Sequence, residues 1–303
     1  MSRKNKGKKR CFLARRFYAH LIKPGMHRKQ SKNCSKNISA TELCVSAAQQ
    51  TYVKMYWIKN RKIRLYQCLI LISLLTLWEV TSYLGIINPF VFSCPSNIIH
   101  TCIEMTADGL LFFHVGITLL ETLISFFLVN FIGLLMAVTL WWNDGISKVL
   151  EPYLIVLNSL PKSALAPVFI VWLGNNMKTI IVAAVSVSVF GSIITLYSDF
   201  KSIEEDKIKL IHTLGGKKRD VLFKVVIPAN IPSIIRLMKV NIGLSLVGVI
   251  IGEFLAAKAG LGYLIIYGSQ VFKLNLVIMS IVILCIVATG LYQLLAHFEK
   301  KYS

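Results

Sequence analysis

Charge is scarce in this chain. Of its 303 residues, 16% are Asp, Glu, Lys or Arg, where soluble domains usually carry about 25%. Catalytic signatures are missing as well. No GxxxxGK[ST] phosphate loop, HExxH pair or GxSxG elbow occurs, which excludes the commonest nucleotide-hydrolysing, zinc-peptidase and serine-hydrolase chemistries. The seven cysteines form no CxxC pair and have no metal-ligand spacing with the six histidines, so no metal site is expected. Cys94 and Cys102, which share a short non-spanning segment, could form a disulfide, but free thiols are the expected state. No signal peptide is visible, because the first long apolar run begins only near Leu65. What remains is grease: 55% hydrophobic residues and a mean hydropathy of +0.64. Runs of about 20 apolar residues, enough to cross a bilayer, recur along the chain. The sequence therefore describes an all-α integral membrane protein, not a soluble enzyme.

The formal charge of +20 is unevenly spread. Residues 1–64 hold 18 Lys and Arg against one acid, Glu42, whereas residues 65–303 hold 16 against 13. Two parts follow: a basic tail over 1–60 that lacks apolar periodicity and reads as disordered, and a membrane domain over 61–303. A run such as Lys4 to Arg10 fits nucleic-acid binding or a cytoplasmic basic flank. Few aromatic residues are interleaved for stacking, so no nucleic-acid partner is expected. Met55 opens a stretch resembling an ordinary basic N-terminus, and the natural start is expected there or at Met1.

Six spans are predicted. The first covers about Leu65 to Ile87 and stops at Asn88-Pro89; the second runs from His114 to Leu140. A third, over Leu150 to Leu173, is broken by Asn158, Pro161 and Pro167. Thr179 to Tyr197, Ile231 to Ala256 and Leu274 to Phe298 complete the set. Lys and Arg concentrate in the tail, the 199–227 stretch and the Lys300-Lys301 end, whereas segments 88–113, 174–178 and 257–273 hold only Lys178, Lys258 and Lys273. By the positive-inside rule both termini lie in the cytoplasm.

Ionisable groups at mid-span cost roughly 2.5–3.5 kcal/mol each on insertion scales. Glu79, Glu121 and Glu253 fall toward the outer side of the membrane in this orientation. They read either as polar lining of an outer vestibule or as groups that snorkel or pair with Lys258 or Lys273. Arg236 and Lys239 read as snorkelling from the cytoplasmic side. Asn158 and Lys162 lie in the proline-broken span, and irregular backbone at membrane depth is tolerated where it lines a cavity. Asn158, Lys162, Glu121 and Glu253 are thus the candidate pathway residues.

The cytoplasmic segment Lys207 to Pro232 carries the most information. Ile208, Ile211 and Leu214 repeat at helical spacing, Gly215-Gly216 turn the chain, and Arg219 to Val226 reads as a second helix before Pro228 and Pro232 open the next span. Such a helix–Gly–helix unit suits a groove on a partner or the bilayer surface. Its spacing is similar to the EAA motif (EAA-x3-G-x9-I-x-L-P) of binding-protein-dependent ABC permeases. Lys209-Leu210-Ile211 stand at the opening, Gly215 at the glycine, and Val225-Val226-Ile227-Pro228 at the end. The opening departs from Glu-Ala-Ala. Only the first glycine belongs to the spacing, so Gly216 is expected to accept alanine.

Leu160 to Pro167 with Phe169 to Gly174, and Gly260 to Ile265, resemble the nitrate/sulfonate/taurine branch, which commonly has a basic residue where this chain has Glu121. The resemblance begins near Ile63 and implies a MetI-like permease fold of about six transmembrane helices with a cytoplasmic coupling-helix loop. It implies a permease subunit of an importer that passes a small solute across the cell membrane. It also implies three protein partners: an ABC ATPase, an extracellular or lipid-anchored substrate-binding protein and a second permease copy in a homodimer. Lys209, Leu210, Ile211, His212, Gly215, Gly216 and Pro228 would then couple to the ATPase. The chain itself would need no cofactor and catalyse no covalent step. The alternative, a stand-alone secondary transporter or channel, should show inverted repeats with paired broken helices, and only one broken span is visible.

Overall fold

The computed structural model describes residues 63–85, apart from 64, 68 and 71, together with residues 93–302. The basic tail, Met55 and the Asn88-Pro89 stop lie outside the described residues. Among the described residues every regular element is helical. Two units emerge, Met1–Leu74 and Leu75–Ser303, and the architecture below is that of the second. Helix α1 covers Leu65–Tyr83.

After it come α2 (Pro95–Ala107), α3 (Leu110–Trp142), α4 (Asp144–Ser159), α5 (Lys162–Leu173) and α6 (Met177–Lys201). The short α7 (Glu205–Thr213) precedes the 39-residue α8 (Lys218–Ala256), and α9 (Leu261–Gln270) precedes α10 (Leu274–Tyr302). Five of these, α1, α3, α6, α8 and α10, are long and apolar enough to cross a membrane, and α4 with α5 make a sixth if the bent pair counts as one span. At 1.5 Å per residue α3 is about 50 Å long and α8 about 58 Å, against a hydrocarbon core of about 30 Å. Both therefore project beyond the bilayer.

Helices α3, α6 and α8 form the centre of the bundle, with α8 against α6 and α6 against α3. Small residues let α8 come close. A Cβ on Gly248 would stand 2.6 Å from Ala184 Cα, and one on Gly252 would stand 3.0 Å from Ile180 Cα. Gly248 and Gly252 make a GxxxG pair, the pattern by which membrane helices bring their backbones together. Lower in the same contact, Ser192 donates to Asn241 Oδ1 at 2.8 Å and Asn241 Nδ2 donates to Asn130 Oδ1 at 3.0 Å. One polar chain thus ties all three helices.

The structure redraws three sequence expectations. Among the prolines of the third span, the break comes at Leu160-Pro161 alone, where α4 and α5 meet at 95°; Leu160 is extended (φ −63°, ψ 139°), as the residue before a proline is pushed to be. Pro167 sits inside α5 without ending it. The separate helix expected over Arg219 to Val226 is instead the first part of α8. Its Leu222–Val226 turn is a π-turn, with Ile227 N–H donating to Leu222 O. Pro228 offers no N–H and its ring would crowd the carbonyl four residues back; the wider turn relieves that crowding. Lys239, expected to snorkel, bonds to Glu299 of α10 and lies 5.8 Å from the centroid of the Tyr292 ring.

Candidate functional site

Six of the seven residues of the 209–228 segment lie on α7 and its turn into α8, and Pro228 stands ten residues beyond Lys218 on α8. Helix α7 ends in a Schellman cap. Gly216 N–H donates to Ile211 O at 2.9 Å, Gly215 N–H donates to His212 O at 3.0 Å, and Gly215 has φ +81°. Each glycine has its own reason. A Cβ on Gly215 would meet open space, so only the left-handed backbone requires glycine there. A Cβ on Gly216 would lie 2.5 Å from Ile211 Cγ2 and 2.9 Å from Ile211 O. Alanine at 216 is therefore not the mild change that the motif spacing suggests.

Helix α7 shows two faces. Ile208 and Ile211 pack on the buried cluster of Phe200, Val221, Leu222 and Val226, which fixes α7 to the base of α8. Leu210 and Leu214 point outward at 58% and 76% exposure, and Phe223 joins them at 57%. Lys209 lies 3.3 Å from Glu205 and 3.7 Å from Asp206. His212 is exposed, with Nδ1 3.1 Å from Gly216 O. Pro228 is exposed on α8. The base of α8 is also tied to α3: Lys218 Nζ donates to Trp142 O at 2.6 Å and lies 5.6 Å from the Trp141 ring centroid. A cation at a helix C-terminus is favoured by the helix dipole.

The four candidate pathway residues separate into two pairs. Asn158 and Lys162 flank the α4–α5 bend, where Lys162 Nζ donates to Asn158 O. Glu121 of α3 and Glu253 of α8 lie side by side at 2% and 1% exposure. Asn158 abuts Gly191 of α6, whereas Gly252 abuts Ile180. Eleven residues of α6 separate those levels, about 16 Å along its axis.

Glu253 is occupied by neighbours other than Lys258 and Lys273. Its Oε1 accepts from Thr118 Oγ1 at 2.7 Å and its Oε2 from Gly262 N–H at 2.5 Å. Thr118 Oγ1 in turn accepts from Leu261 N–H at 2.8 Å, and His114 Nδ1 accepts from Gly260 N–H at 3.0 Å. Three successive amides at the start of α9, a helix with no capping side chain of its own, are thus satisfied by α3 and α8. The Gly-Leu-Gly run follows from this geometry. A Cβ on Gly260 would stand 2.3 Å from Glu253 Oε1 and one on Gly262 2.7 Å from Oε2. Glu79 does the same for α2, accepting from Ser96 Oγ at 2.6 Å and from Ser96 N–H at 3.3 Å. Glu121 Oε2 finds no hydrogen-bond partner among the described residues.

Sequence reasoning missed His114, Thr118, Lys218 and the Asn130–Ser192–Asn241 chain. Their partners lie 49 to 146 positions away, where no local spacing records them. The GxxxG pair was available as a signal.

Over residues 129–303, more than half of the chain, the sequence matches the family described as binding-protein-dependent transport system inner membrane component. The chain belongs to that family. It is a permease subunit of an ATP-binding-cassette importer, all-helical and multi-pass. The permease is 28% identical over 195 residues to the formylaminopyrimidine transport permease ThiX of Halalkalibacterium halodurans, covering 64% of this chain and 77% of that one. It is 25% identical over 228 residues to the putative aliphatic sulfonates transport permease SsuC of Bacillus subtilis, covering 75% and 83%. With the taurine permease TauC of Escherichia coli it shares 20% identity over 236 residues, covering 76% and 86%. Its fold is that of a chain of the MetNI methionine ABC transporter solved facing inward (TM-score 0.57, 18% identity), over 64% of this permease and 96% of that chain.

Proposed function

We propose that the permease works as a homodimer that receives a small polar solute from an external binding protein and is driven by an ATPase docked on the α7–α8 turn. The exposed apolar trio Leu210, Leu214 and Phe223 carries this reading. It stands on a turn held rigid by the Schellman cap and by the packing of Ile208 and Ile211. A water-facing apolar patch on a fixed knob fits a groove on a protein. The turn lies in the cytoplasm, in line with the lysines and arginines of 201–224 and with the positive-inside rule; both termini then face the same side. ATP hydrolysis belongs to the partner, and this chain supplies the path. The solute belongs to the size class of taurine, aliphatic sulfonates and aminopyrimidines named for its relatives.

Copurification tests the docking. Leu210→Glu with Leu214→Glu should abolish recovery of the ATPase at unchanged membrane levels of the permease. Equal recovery from wild-type and variant membranes would refute it. Binding of taurine, an aliphatic sulfonate or an aminopyrimidine to the partner binding protein, read by thermal shift, tests the solute class.

A further inference from the structure

We infer that Glu253 is a positioning residue that makes α9 a rigid extension of α8, so that displacement at the ATPase-docking turn is delivered to the opposite face of the membrane. The inference rests on the docking assigned above. Helix α8 is unbroken from Lys218 to Ala256, so Glu253 stands 35 residues, about 52 Å, from the docking end. The chain then leaves the helix at Ala257 (φ −89°, ψ 152°). A bare loop of that kind would let α9 swing free of α8. Here it does not, because the Glu253 carboxylate reaches past the loop and holds the Gly262 amide, while Thr118 links the same carboxylate to the Leu261 amide.

Three features make the tie stiff. Its members are buried, so water does not compete for the bonds. A carboxyl oxygen accepting from an amide at a helix N-terminus also satisfies a donor that the helix itself leaves unpaired. Finally, the absence of side chains at Gly260 and Gly262 brings the amides up to the carboxylate. Lys218 binds α8 to the end of α3, and Thr118 binds it again near the start of α3. The two spans therefore move as one body, with α9 fastened to it.

The test uses the permease in nanodiscs with the ATPase and binding protein encoded with it. The readouts are basal ATP hydrolysis, its stimulation by binding protein, and hydrogen exchange at the amides of 260–262. Wild-type complex that fails to retain the ATPase would refute the docking on which the inference rests. Where it is retained, Glu253→Gln and Glu253→Asp should keep assembly and basal hydrolysis, lose the stimulation and show faster exchange at 260–262. Thr118→Ser should restore wild-type coupling where Thr118→Val does not. Should the Glu253 variants fail to fold, the Thr118 pair decides alone. Full stimulation despite accelerated exchange would overturn the inference. So would basal and stimulated hydrolysis falling together with thermal stability, since that is the behaviour of a fold-stabilising cap only.

Discussion

At the Lys218 end of α8, Gly215 and Gly216 close an exposed turn through bonds between residues at most five positions apart; at the Ala256 end, Gly260 and Gly262 close a buried turn through bonds to residues as far as 146 positions away. The first pair shapes a knob that presents Leu210 and Leu214 outward. The second pair makes room for an acid that two other helices share. Both ends use glycine in both ways: positive-φ backbone at Gly215 and Gly260, close approach at Gly216, Gly260 and Gly262. A local device is altered from within its own few residues, whereas a device assembled from three helices can be loosened from any of them.

Substitutions at the two ends separate these roles. Gly260→Ala should do most damage, because it places a Cβ against Glu253 and demands a backbone (φ +120°, ψ 168°) that only glycine enters freely. Overpacking and strained backbone each cost about 1–3 kcal/mol and here they add; the readout is loss of folded permease in detergent by thermal melting. Next comes Gly216→Ala, which drives a methyl into Ile211 and should cost about 1–3 kcal/mol as overpacking. Thermal melting should shift modestly while recovery of the ATPase falls sharply. Gly215→Val should cost about 1–2 kcal/mol for a side chain in left-handed backbone, with normal insertion and weakened ATPase copurification. An unchanged complex in both docking-end variants would show that the turn is not a shaped knob.

One expected effect is a gain. Glu121→Leu removes a buried carboxyl with an orphaned oxygen, and relieving an unsatisfied buried group is worth about 1–3 kcal/mol. A higher melting temperature than wild type is the expected reading. A lower one would mean that Glu121 supports the Glu253 cap.

These two ends also show what a sequence can disclose. The α7–α8 turn was legible because its whole mechanism lies within a dozen residues: apolar repeats at helical spacing, then a glycine at the position where a helix reverses. Its continuation was not. Pro228 and Pro232 look like the opening of a helix, and nothing local says that a π-turn lets the chain pass through Pro228 unbroken. The spans themselves were legible from hydropathy, and most of their ends moved by only a few residues, but α8 begins thirteen residues before Ile231. The acids were legible as costly and in need of partners, but not which partners. Glu253 read as vestibule lining or as a group that snorkels or pairs with Lys258 or Lys273, and it was Thr118 and an amide nine residues on that claimed it. Likewise, Leu160-Pro161 and Pro167 look alike in sequence, and only the former bends the chain.

Because α8 is one uninterrupted helix, its length behaves as an angle. Each residue turns the helix by about 100°, so adding or removing one between Gly216 and Gly248 would leave the GxxxG seam on α6 while swinging the docking knob through about a quarter turn or more. The π-turn at Leu222–Val226 is the one place where that phase departs from regular winding. It therefore sets the compass bearing of the knob relative to the seam. Point substitutions in this stretch should be forgiven far more often than single-residue insertions or deletions.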